Sequence, residues 1–164
     1  MNNVPKNLYN KTPILILGFN RPNLLRELIK RIKVFEPEKI YISIDGARKK
    51  NTKDKKLIEK IKKKVLNEIS WDCDLKTKFF ENNYGVKNAP VKGINWLFEN
   101  EEMGIILEDD VNPDISFFPF ITTLLNKYKY DHKIMMISGN NYIYSKNKIK
   151  ENYYFSKSPG THGW

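Results

Sequence analysis

The sequence predicts an α/β protein built on a mostly parallel sheet, and three observations carry that expectation. Apolar runs alternate along the chain with stretches whose apolar residues recur at helical spacing. Several of those runs are continuous rather than alternating, as in strands covered on both faces. Polar residues collect where the runs end, and the carboxyl ends of parallel strands are where such sheets bind ligands.

The first run is PILILGF, residues 13–19. Asn20, Arg21 and Pro22 follow it, and Leu24, Leu25, Leu28, Ile29 and Ile32 then keep a helical stripe with Pro22 suited to its first turn. KIYISIDG, residues 39–46, is the second strand, ending at Asp45 and Gly46. A lysine-rich helix comes next, with Leu57, Ile58, Ile61, Val65 and Ile69 on its apolar side. LKTKFFEN, residues 75–82, reads as the third strand, and the turn-prone NNYG leads to a helix from about Ala89 to Asn100. GIILEDD supplies the fourth strand, ISFFPFITTLLNKY a further helix, and KIMMISGNN a last strand whose end carries Gly139 to Asn141.

The 164 residues, 40% hydrophobic and 13% aromatic, fit one domain spanning 1–164 with a core of its own, without repeats or a low-complexity linker. No apolar run approaches the roughly 20 residues that span a bilayer, and MNNVPKNLYNKT lacks the sections of a signal peptide. The expected location is the cytoplasm, including the inner face of the membrane. Cys73 is the single cysteine and reads as a structural or surface thiol.

The net charge of +10 is concentrated. Between Arg48 and Lys64, ten basic residues stand against Asp54 and Glu59, so this segment holds eight of the ten net charges. The simplest reading is the wet face of an amphipathic helix. Attraction to an anionic membrane surface is the alternative. Nonspecific phosphate binding is disfavoured because no aromatics interleave the lysines, and nucleic acid is not an expected partner.

GIILEDDV, residues 104–111, runs an apolar strand into Glu108, Asp109 and Asp110. Two carboxylates roughly 4 Å apart at an effective dielectric near 20 repel by about 4 kcal/mol, so a positive group is expected among them. A divalent ion held by the triplet would offset that repulsion, since hard oxygen ligands suit Mg²⁺ or Mn²⁺, which bridge diphosphate oxygens. A phosphate-handling site at this edge would draw on Arg21 and that ion as its two cations. Alternatively the strand has simply ended and the acids are solvated, with Asp110 or Asp114 capping the next helix. Asp45 could accept hydrogen bonds from a nucleobase or ribose, with Gly46 allowing close backbone approach, and serves equally as a turn or cap residue. No P-loop or G-x-G-x-x-G follows a strand, no serine elbow is present, and Cys73 has no evident histidine partner, His132 and His162 being the two histidines. The loop after the first strand also lacks the glycine-rich form of sugar nucleotidyltransferases.

Taken together, ILGFNRP, YISIDG, NNYGVKNAP before INWLFE, GIILEDDVNPDISFFPF, LLNKY, MISGNN and SPGTHGW resemble a glycosyltransferase of GT-A fold. In particular they are similar to bacterial relatives of the N-acetylglucosaminyltransferase I type of family 13 and to family 2 sugar transferases. The resemblance covers nearly the whole chain from about Pro13, and its most specific part is the Glu-Asp-Asp string with the Phe-Phe that follows. It implies a metal-dependent transfer, inverting, from a nucleoside-diphosphate sugar such as a UDP-sugar to a saccharide or lipid-linked acceptor, as in polysaccharide biosynthesis. Asp110 matches the family's metal ligand for Mn²⁺ or Mg²⁺, and Glu108 and Asp109 the acids that approach the donor's ribose and sugar. Arg21 and Asp45, with Gly46, match the residues that meet the donor nucleotide, and Lys87 lies in a segment with further donor contacts. Where eukaryotic relatives place a histidine against the base, this chain has Gly93. The family continues beyond the equivalent of Trp164 into an acceptor half holding the catalytic base. The resemblance therefore implies a donor-binding half, truncated or a fragment, with the base unassigned and little transfer by this polypeptide alone. Alternatively the chain is a noncatalytic nucleotide-sugar-binding module. The tail NYYFSKSPGTHGW lines an acceptor side or packs in the core.

Overall fold

The computed structural model describes residues 9–140 and 153–157. It is an α/β structure with a four-stranded, all-parallel sheet in the order β3-β2-β1-β4. The chain passes through β1 (Ile14–Gly18), α1 (Pro22–Ile32), β2 (Lys39–Ile44), α2 (Thr52–Lys60), β3 (Asp74–Phe79), α3 (Gly85–Phe98), β4 (Ile105–Glu108) and α4 (Phe117–Tyr128). In register, Ile16 stands beside Ile42 on one side and Leu107 on the other.

The continuous apolar strands are explained by cover on both faces. α1, α2 and α4 send Leu25, Leu28, Ile32, Ile58, Phe118 and Ile121 onto Ile14, Ile16, Ile42 and Leu107. The opposite face, with Leu15, Leu17, Tyr41 and Ile106, receives Leu97 of α3. Each such fully buried aliphatic side chain contributes about 1.5–3 kcal/mol relative to exposure, so this two-sided core is what holds the layers together.

Pro22 occupies the first turn of α1, where its missing N–H removes nothing from the helical ladder. The Asn51 side chain accepts the Asp54 N–H at 3.0 Å and caps α2. The helix then widens into a π turn over Ile61–Val65 and tightens into a 3₁₀ turn over Leu66–Glu68. Ile58, Ile61 and Val65 are buried along this path, as their spacing predicts.

Two expectations change. α3 begins at Gly85 rather than near Ala89, because Asp45 takes the N–H groups of Tyr84 and Gly85 and anchors the helix start. Residues 133–140, read as a strand, are irregular, and Met135 is 97% exposed. An apolar run becomes a strand only where a neighbouring edge takes its backbone groups, and β4 does not pair with this one. Asn141, the residue at the end of that run, lies outside the described residues, as do His162 and the SPGTHGW motif.

Candidate functional site

Parallel register brings the ends of β1, β2 and β4 to one edge. The ladder continues past each strand, with the Asp45 N–H donating to Gly18 O and the Asp109 N–H to Leu17 O, both at 2.9 Å. A cleft of about 460 Å³ opens there. Its walls are Phe19, Arg21, Ser43, Arg48, Asn83 and Glu108, together with Val86, Ala89 and Pro90 from the first turns of α3.

The positive group beside the acids is Arg21, which the sequence suggests as a phosphate ligand rather than as their partner. Its Nη1 donates to Asp110 Oδ2 at 2.6 Å, and its Nη2 bonds Asp109 Oδ1, so one planar fork spans two consecutive carboxylates. Asp109 is buried, 1% exposed, under the end of β1, and also faces the Phe19 N–H at 3.4 Å. Burial raises the Asp109 pKa above its ordinary value, and the pull of Arg21 offsets this only in part. Burial likewise opposes the Arg21 charge, but Asp109 and Asp110 outweigh it and the guanidinium pKa is raised.

Behind Arg48 lies a second arrangement of the same kind. Asp54 is fully buried and accepts from Arg48 Nε at 2.7 Å, Arg48 Nη2 at 2.9 Å and Asn20 Nδ2 at 2.7 Å. The Arg48 hydrogen bonds hold the Asp54 carboxyl down at about 2. The Arg48 guanidinium also lies over the Phe19 ring, 5.6 Å from its centroid. Both arginines are thus fixed from behind by buried aspartates while their side chains stay 41% and 58% exposed toward the cleft side. Two guanidinium groups are held in place at the cleft with little rotamer freedom left to lose.

Asp45 also lines the cleft, and its carboxylate is tied to the protein's own loop. Its Oδ1 accepts from the N–H groups of Gly46 and Tyr84, and its Oδ2 from Gly85 N–H and Asn83 Nδ2, at 2.8–2.9 Å. Four donors converge on its two oxygens, so Asp45 organises the β3–α3 loop. Gly46 is buried beside it. A Cβ there would meet the Asn82 backbone at 2.5 Å, so the close approach that glycine allows is that of the protein's own loop.

Lys87 is exposed on the first turn of α3 and does not line the cleft. Gly93 faces the sheet, where a Cβ would stand 2.6 Å from Leu17 Cδ2 and 2.9 Å from Ser43 Oγ. That position therefore serves helix packing rather than a base. Asp114 accepts the Ser116 N–H and Oγ–H before α4, and neither it nor Asp110 caps the helix. His132 is exposed, and burial pushes the half-buried Cys73 thiol up, away from reactivity. Tyr153 and Phe155 stack edge-to-face with Tyr128 at the end of α4, with Phe155 staying 67% exposed.

Arg48, Asn83 and Ser43 were not legible as cleft residues. Arg48 sits within a lysine run that reads as a solvent face, though its place two residues after Gly46, just past the end of β2, could have flagged it. Both hydrogens of Asn83 Nδ2 are engaged, by Asp45 and by Gly46 O at 2.8 Å, so its Oδ1 is left as a fixed acceptor in the cleft wall.

Among the described residues no group of three acid, histidine or cysteine side chains could hold a metal by itself. Glu108, which lines the cleft, and Asp110, which bonds Arg21, are nevertheless exposed hard-oxygen donors. One or two carboxylates completed by phosphate oxygens and water match how Mg²⁺ is held, so the donor set fits a metal that arrives with a diphosphate. No family model matches this chain, and no curated protein or solved structure matches it either.

Proposed function

We propose that the chain is a glycosyltransferase of GT-A type whose cleft binds a nucleoside-diphosphate sugar, with UDP-sugar as the preferred donor class. The observation that carries this reading is the pair of anchored arginines, Arg21 and Arg48, facing the cleft at the carboxyl ends of parallel strands with Glu108 in its wall and Asp110 bonded to Arg21. Arg21 and Arg48 would take the diphosphate, and the apolar wall of Phe19, Val86, Ala89 and Pro90 would take the base. Asn83 Oδ1 would accept a hydrogen bond from the base edge. Asp110, with Glu108 beside it, would hold Mn²⁺ or Mg²⁺. The ion, when bound, supplies positive charge to the departing diphosphate. Saccharide or lipid-linked hydroxyls are the proposed acceptor class.

Calorimetric titration with UDP, CDP, GDP and ADP, with and without Mn²⁺, tests the reading. UDP should bind with Mn²⁺, Asp110→Ala should abolish the metal's contribution, and Arg48→Ala should weaken binding on the order of tenfold or more. Nucleotide affinity indifferent to both Mn²⁺ and Asp110→Ala would contradict it. A second reading, a nucleotide-sugar-binding module without transfer, is favoured by Arg21 itself, which already bonds both Asp109 and Asp110. Release of UDP from a UDP-sugar on adding Mn²⁺ distinguishes the two.

A further inference from the structure

The cleft uses Arg48 but none of the lysines that follow it. Between residues 49 and 64, nine lysines are exposed. The segment's apolar side is fully engaged, with Ile58, Ile61 and Val65 in the core. Of its two acids, Asp54 is buried behind Arg48, and Glu59 is paired with Lys62 at 3.3 Å. The outer face therefore carries almost uncompensated positive charge.

The π turn sharpens that separation. Ile61 and Val65 point into the core from its two ends, and Lys62, Lys63 and Lys64 between them are all exposed. The neighbouring surface is basic as well. The end of α1 adds exposed Lys30 and Arg31, and Lys33 donates to Ser70 Oγ at 2.8 Å, which ties α1 to the segment just past the 3₁₀ turn. The Arg26–Glu68 pair at 3.0 Å makes a second tie between the two elements.

We propose that this face adsorbs to an anionic lipid bilayer. The chemistry of the surface selects that partner. Lysine is a strongly hydrated point charge on a flexible stem, suited to a diffuse field of headgroups rather than to bidentate recognition of one phosphate. The one arginine of the segment, Arg48, lines the cleft and is spoken for there. Between residues 48 and 64 no Phe, Tyr or Trp is available to stack on bases, as single-stranded nucleic acid requires. Several lysines on one face of an amphipathic helix are the pattern that anionic membranes attract. With its apolar side spent on the core, the segment has nothing to insert, so the attachment is electrostatic and reversed by salt. Because Arg48 both begins the segment and lines the cleft, adsorption would hold the cleft beside the lipid surface.

Cosedimentation of the whole chain with phosphatidylcholine vesicles, with and without phosphatidylglycerol, tests the proposal. The protein should bind only the anionic vesicles and leave them at high salt. Replacing Lys53, Lys56, Lys60 and Lys63 together by Gln should weaken binding on the order of a thousandfold. Replacing exposed Lys11, Lys92, Lys129 and Lys133 by Gln removes the same charge and should leave binding within a few-fold. Equal losses in the two variants would mean that net charge alone is responsible, and would overturn the assignment to this face. So would binding to neutral vesicles, salt-insensitive binding by the unaltered chain, or displacement from the vesicles by a random-sequence oligonucleotide at lower concentration than by free anionic vesicles. The nucleotide titrations are a separate readout: the four-lysine variant should bind UDP as the unaltered chain does.

Discussion

Removing the Arg21 guanidinium would leave two adjacent carboxylates facing each other, one of them buried. Arg21→Met is therefore expected to cost about 2–3 kcal/mol, below the figure for a fully buried pair because Arg21 is half open to water. Adding Asp109→Asn should recover much of that loss in urea unfolding, whereas independent sites would give additive losses. Asp54 makes a pH prediction. Its folded-state pKa is lowered from 3.8 to about 2, so its ionised form stabilises the fold above pH 3.8, and that contribution disappears as pH falls from 3.8 toward 2. Acid unfolding should show this decline in the unaltered chain and not in Asp54→Asn. The sequence made it visible that the acids need a positive partner, but pointed to a divalent ion rather than to Arg21. Nothing local shows that the arginine after β1 will lie against residues 88 and 89 positions later. It could not show that Asp45 would be engaged by its own loop, because the donors come from Asn83, Tyr84 and Gly85, far along the chain.

At the level of elements, α3 is held by two devices, a distant carboxylate at its start and a glycine in its middle. Asp45→Ala strips the acceptor from the Tyr84 and Gly85 N–H groups and should cost about 2 kcal/mol. Amide exchange should accelerate over residues 83–87 while β1 remains protected. Gly93→Ala forces a methyl against Leu17 and Ser43 and should destabilise by about 1–3 kcal/mol. Because Ala89 and Pro90 on the same helix line the cleft, that variant should also weaken nucleotide binding. Strand cores and helix stripes were readable because burial on both faces leaves continuous apolar runs and one-sided burial leaves a period. The start of α3 and the irregular path of 133–140 were not, since a remote cap and the absence of a pairing edge leave no local signature.

On the scale of the whole molecule, β1 is completed by one strand near it in sequence and one far from it. β2 pairs with it soon after it is made, but β4 arrives some 90 residues later and brings Asp109 and Asp110 with it. Long-range parallel pairing of this kind is slow to form, because the intervening chain must be closed before any contact rewards it. During synthesis, a nascent chain that has emerged only through β3 holds an ILILG strand with one flank open and an arginine without its counter-ions. Such an intermediate should depend on chaperone shielding at the ribosome until the Glu-Asp-Asp segment clears the exit tunnel.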